Sequence, residues 1–266
     1  MNAEPSSLHL WMPLVFSIAV WWLSTGLILR LVDGNSPGRQ TRALLAASLA
    51  LALGLAGVVL TRDMTTPLGA YLAFTSALLV WSWQEITFLA GIVTGPNRQP
   101  CPQVKGWMRA WHAFRTIAHH EAALVLLGAV VIVPTWDAAN PVAYQIFLVL
   151  WAMRLSAKLN LFLGVKNFYE SFLPPSLHYL LTYFSRRSFN PFFPVSLCLT
   201  TLVAVFLWEH VLRGEYAYEV AAYSLIASFF ALPTLEHPLL VLLIHPERLS
   251  RFSSAREADG SALSQR

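Results

Sequence analysis

Apolar residues dominate this chain in long unbroken runs, and polar positions separate those runs at nearly regular intervals. Crossing the hydrocarbon core of a bilayer as a helix takes about 20 apolar residues. Seven runs predict spans near residues 10–32, 43–61, 68–93, 111–133, 141–165, 194–213 and 219–245, an all-α polytopic bundle. The second, ALLAASLALALGLAGVVL, is almost pure Ala and Leu with Gly54 and Gly57. Its small residues suit either close helix packing or a plain anchor. Between 166 and 193 the pattern changes. Leu177, Leu180, Leu181 and Phe184 recur at helical spacing ahead of Arg186 and Arg187, which predicts a short amphipathic helix in the interface. An ordered loop folded under the bundle is the rival reading. The polar, small-residue-rich stretch 250–266 is expected to be a disordered tail after one helical domain over 1–249.

Composition agrees with a membrane protein. Of 266 residues, 56% are apolar and 12% charged, with a mean hydropathy of +0.54; a soluble domain carries about 25% charged residues. The 10 Trp and 16 Phe suit lipid-facing and interfacial positions. Cys101 and Cys198 stand outside any CxxC pattern and read as free thiols. The pI near 9.3 needs no nucleic acid to explain it, because the cations sort by loop. Arg30, Arg39 and Arg42 flank the first loop; Arg98, Lys105, Arg109 and Arg115 the third; Lys166, Arg186 and Arg187 the fifth. With Arg248, Arg251, Arg256 and Arg266 in the tail, 14 basic residues fall on one side, against Arg62 and Arg213 on the other. The positive-inside rule then puts the amino terminus outside and the carboxyl terminus in the cytoplasm. The first nine residues lack a basic region and no A-x-A-like site follows the first span, so that span is expected to be retained.

Several residues inside the spans are costly there, and such residues by default face the bundle interior and mark function. Span three carries Gln84 and Glu85; span four His112, His119, His120 and Glu121; span five Arg154, Lys158 and Asn160; span seven Glu236 and His237. At about 1.5 Å per residue, Glu85, His120, Glu121, Lys158, Arg154 and Glu236 all lie roughly 10–16 Å from the cytoplasmic boundary. Four helices therefore place their polar residues in one slab. Arg154 and Lys158, four apart, share a face, and His120 or Glu121 rather than His119 is expected to point inward. Pro233, one turn before Glu236, is expected to loosen span seven and present that pair to the slab.

Three chemistries fit this layer. It can be structural, with Glu85, Glu121 and Glu236 paired to Arg154 and Lys158. It can hold iron or zinc on Glu85, His120, Glu121, Glu236 and His237, although no Glu-x-x-His or HExxH spacing occurs in the spans. It can bind a tetrapyrrole such as bacteriochlorophyll, a quinone or a lipid head group. Glu209, His210 and Arg213 read as an interfacial cluster, His178 as an interfacial histidine, and TGPNRQPCPQVKGW as a rigid cap over the layer's cytoplasmic mouth.

The succession WSWQEITFLAGIVTGPNRQPCP, IAHHEAALV, RLSAKLNLFLGVKN and a final LEH before a basic tail resembles the PuhE family of purple phototrophic bacteria. The likeness runs from span one through span seven. It implies a multi-pass protein of the cytoplasmic (inner) membrane or the intracytoplasmic photosynthetic membrane, encoded with photosynthesis genes near the reaction-centre H subunit. It implies an assembly factor for the reaction centre–light-harvesting 1 complex, or a modulator of bacteriochlorophyll supply. Partners would then be lipid, reaction-centre or light-harvesting 1 subunits and bacteriochlorophyll, with no nucleic acid. Carried over motif by motif, it points to Glu85, His120, Glu121, Asn160, Asn167, Glu236 and His237. The rival functions are a membrane metalloenzyme, a di-iron or zinc oxidoreductase acting on a tetrapyrrole or quinone, and a small transporter relaying protons through paired acids and bases.

Overall fold

The computed structural model describes residues 6–32, 37–165, 173–187 and 190–241; for Pro37, Arg39, Pro233 and residues 235–241 it describes the backbone alone. Among these residues the chain forms α1 (Ser7–Val32), α2 (Pro37–Thr61), α3 (Pro67–Leu89), α4 (Gly106–Thr135), α5 (Val142–Leu163), α6 (Phe192–Arg213) and α7 (Ala217–Val241). No strand is present among them. The helices fall where the apolar runs predict them, and local chemistry sets their ends. Thr66 caps α3 by accepting from the Gly69 amide at 3.1 Å, with Pro67 at the first helical position. Gly91, at φ +72°, lets the chain leave α3.

Two Asn–Pro pairs start helices at opposite ends of the bundle. Asn140 Oδ1 accepts from Val142 N (3.3 Å) at the head of α5, and Asn190 Oδ1 accepts from Phe192 N (2.9 Å) and Phe193 N (3.1 Å) at the head of α6. Their amide nitrogens then reach across the fold. Asn140 Nδ2 donates to the carbonyls of Thr61 (3.0 Å), Met64 (3.3 Å) and Gly69 (3.1 Å), and Tyr218 donates to its Oδ1 at 3.0 Å. This one residue ties the α2–α3, α4–α5 and α6–α7 turns together. The α3–α4 and α5–α6 connections meet at the other end, where Cys101 N donates to Thr182 Oγ1 at 2.8 Å. Successive helices therefore alternate in direction.

α3 and α7 are the centre, and α1, α2, α4, α5 and α6 surround them. The surrounding five are each long and apolar enough to cross a membrane. Their outer faces expose Trp22 (74%), Leu60 (75%), Val133 (76%) and Leu212 (80%), a density of apolar surface that suits contact with lipid. α3 faces protein on more of its surface than its neighbours do: twelve of its residues are buried, against two in α1. α2 lies along α3 through its small residues. A Cβ on Gly54 would sit 2.8 Å from Ser76 O and Val80 N, and one on Gly57 would overlap Ser76 Oγ. Close packing, not plain anchoring, is the use of that stripe.

Two expectations need correction. The aromatic residues are not only lipid-facing: Phe74, Phe147 and Phe229 are fully buried. Edge-on contacts join Phe74 to Phe229 (5.1 Å), Phe16 to Tyr71 (4.9 Å) and Trp81 to Phe147 (5.4 Å). The segment expected as an amphipathic interfacial helix is a 3-10 helix, Pro175–Tyr183, whose Leu177, Leu180 and Tyr183 are buried. A 3-10 helix repeats every three residues, so these three form one ridge. The ridge packs under the bundle instead of facing lipid. α7 continues through Pro233 to Val241.

Candidate functional site

The polar layer assembles from three consecutive helices. α3 brings Glu85, 6% exposed, and the fully enclosed Gln84; α4 brings His120, 2% exposed, and the half-buried Glu121; α5 brings Arg154 and Lys158. Because Arg154 and Lys158 are one helical turn apart, each meets a different neighbour. Arg154 takes both oxygens of Glu85, with Nε donating to Oε1 at 2.9 Å and Nη2 to Oε2. Lys158 Nζ donates to Glu121 Oε1 at 2.5 Å. α5 thus clamps α3 with one cation and α4 with the other. His120 and Lys158 also lie within electrostatic reach of Glu85.

His120 is held from every side but one. Phe88 covers its ring at 4.4 Å between centroids. Gln84 Nε2 donates to its carbonyl at 3.1 Å, and its own amide donates to Thr94 O at 2.8 Å. The α3–α4 loop therefore lies directly against the α4 backbone. Gly95 makes this contact, and a Cβ there would overlap the Arg115 carbonyl.

The rest of the loop is pinned just as firmly. Asn97 N donates to Arg115 O (3.1 Å), and its side-chain amide to His112 O (3.3 Å) and Tyr183 Oη (3.0 Å). Tyr183 Oη donates in turn to Gln99 O at 3.2 Å. The charge pattern reads Arg109 as a loop cation, but it works as a hub. Its Nη2 donates to Tyr183 O (2.5 Å), Ser185 Oγ (2.7 Å) and Phe162 O (3.3 Å), while its guanidinium lies 4.2 Å over the Phe162 ring. The 3-10 helix is thereby strapped beneath the α3–α4 loop.

Not every expected site residue joins the layer. His119 is exposed on α4. Asn160 belongs to a neutral cluster, donating to Ser156 O (3.0 Å) and Ser196 Oγ (3.3 Å) and accepting from Asn190 Nδ2 at 2.9 Å. His178 is exposed with Nε2 3.0 Å from Leu173 O, away from the layer. Glu209 pairs with Arg213 at 2.5 Å on an exposed face. Asn167 and the side chains of Glu236 and His237 lie outside the described residues.

These facts bear on each candidate ligand. Among the described residues no group of three or more His, Cys, Asp or Glu is arranged to hold a metal ion. Glu85 and Glu121 each already have a cation as partner. A bacteriochlorin ring does not fit at His120, whose imidazole is enclosed under Phe88. His119 is the histidine of this stretch that a macrocycle outside the bundle can reach.

The described residues form an all-helical bundle, and its five long apolar helices are compatible with a multi-pass membrane protein. The chain belongs to the family described as "Protein of unknown function (DUF3623)", whose model matches residues 7–260. A relative in Rhodobacter capsulatus, described as "Uncharacterized 30.4 kDa protein in puhA 5'region", is 32% identical over 243 residues, covering 90% of this chain and 89% of the relative. The likeness read from the motifs holds at this level. No solved structure matches the chain.

Proposed function

We propose that this chain is an integral membrane factor for the reaction centre–light-harvesting 1 complex, acting in its assembly or by modulating its bacteriochlorophyll supply. The observation that carries the reading is the relative encoded in the puhA 5' region. The site supports a binding or scaffolding role over metal chemistry, because its two acids are committed to Arg154 and Lys158. All seven helices cross the membrane in this reading. α3 and α7 do so at the centre of the bundle, with the other five helices around them. The loop cations then put the α3–α4 and α5–α6 connections, and so the polar layer's near end, on the cytoplasmic side of the inner or intracytoplasmic membrane.

The test is deletion of the gene in its phototrophic host, with wild-type complementation. Loss of the complex's near-infrared absorbance at an unchanged cellular pigment pool supports an assembly role. A changed pool supports modulation of supply. Unaltered complex and unaltered pool overturn both.

A further inference from the structure

Eight buried side-chain polar atoms among the described residues have no hydrogen-bond partner within the chain, and three of them, Gln84 Oε1, Thr94 Oγ1 and His120 Nδ1, belong to residues that hydrogen-bond to one another. Their residues are 0%, 1% and 2% exposed. They come from three consecutive elements, α3, the loop and α4, and all are anchored on one residue. Gln84 Nε2 is committed to the His120 carbonyl and Thr94 O to the His120 amide. The first contact also fixes the orientation of the Gln84 amide, since a carbonyl needs a donor, so its oxygen is the free end. Buried polar groups in native proteins are nearly always satisfied. Three left open around one helical turn point to something the chain itself does not supply.

The chemistry of the three atoms says what. Gln84 Oε1 only accepts, so the occupant must donate; Thr94 Oγ1 and His120 Nδ1 can each donate or accept. The neighbouring charges, Glu85 with Arg154 and Glu121 with Lys158, are matched in pairs, so the occupant need carry none. We propose that Gln84, Thr94 and His120 form a binding site for a neutral hydroxyl group, supplied by an ordered water or by the hydroxyl of a small lipophilic ligand. This stands on hydrogen-bond accounting and is independent of the photosynthetic reading.

Thr94→Val tests it by the sign of its effect, because valine matches threonine in shape and removes only the hydroxyl. An occupied site loses a bond, and the melting temperature of the detergent-purified protein falls by about 2–4 °C. An unoccupied hydroxyl is a burden, so an unchanged or raised melting temperature overturns the proposal. The imidazole 15N signals of His120, assigned by their loss in His120→Phe, provide a second readout. They shift in Thr94→Val if the two groups share an occupant; no shift overturns the shared site. Mass spectrometry of organic extracts separates the sources. A hydroxyl-bearing compound present with wild type and depleted in Thr94→Val is the ligand. Identical extracts with a lowered melting temperature assign the site to water.

Discussion

Asn140 and Gln84 are both fully buried amides in a membrane-type bundle, and they are used in opposite ways. Asn140 spends its whole hydrogen-bonding capacity on the chain: three carbonyls, the α5 amide and the Tyr218 hydroxyl. Gln84 spends half, on the His120 carbonyl, and leaves its oxygen open. The groups that the Asn140 side chain bonds are all neutral; around Gln84 are two acids and two cations. A saturated neutral cluster fixes a turn and offers nothing to a ligand. An unsaturated one beside paired charges carries a cost that folding alone does not require. The two ends of the bundle therefore differ in how much of their polar capacity the chain itself uses.

The sharpest break in that comparison is Asn140→Ala. It strands three carbonyls and the head of α5 at once, and unfolding in mild detergent should show a loss of about 4 kcal/mol. A loss near zero would mean that water replaces the amide and that Asn140 is no staple. Gly95→Ala should follow at about 3 kcal/mol, because the added methyl meets helix backbone that cannot yield. Its signature is separate: faster proteolysis between residues 96 and 104, with helix content kept. If the loop stays protected, the contact with α4 does not hold it.

The charged layer should tolerate more. Breaking a buried pair by removing one partner costs about 3–5 kcal/mol, but the Arg154 side chain is 47% exposed, so its pair is worth less. Glu85→Gln is expected to cost about 2 kcal/mol, and adding Arg154→Gln to recover part of it. Glu209→Gln, at an exposed pair of similar length, should cost about 0.5 kcal/mol or less. A double-mutant cycle giving equal coupling for both pairs would remove the distinction between the layer and the surface.

Much of the fold is legible from apolar runs alone, since each helix declares itself by length. The layer is legible too as a slab, because Glu85, His120, Glu121, Arg154 and Lys158 are individually out of place. What the sequence hides is which of these residues remain unsatisfied. Thr94 looks ordinary until the loop is seen lying on the α4 backbone, and Asn160 looks like a layer residue until Asn190 claims it. The Asn–Pro pairs at 140 and 190 were the available signal, each marking a turn that starts a helix. For the 3-10 helix the apolar pattern is real but its period is ambiguous. Leu177 and Leu180 fit both repeats, and only the choice between Leu181 and Tyr183 separates a lipid-facing helix from a buried ridge.

Tyr183 gives a smaller expected effect than Asn140, Gly95 or Glu85, and the finest test of how the near end is closed. Its hydroxyl links Asn97 and Gln99 of the α3–α4 loop to the 3-10 helix, so Tyr183→Phe should cost about 1 kcal/mol at neutral pH. Burial also pushes the phenol above its usual value of 10.0. In the folded protein the group stays neutral while the same phenol in an opened loop ionises. Docking is therefore at full strength below pH 10 and weakens as pH rises beyond it. Loop proteolysis followed from pH 7 to 11 should accelerate in wild type above that point, and the Phe variant should lack the step while starting from a faster rate. A step that survives in Tyr183→Phe would assign the alkaline opening to another group, and the strap would then rest on Arg109 and the Cys101–Thr182 bond.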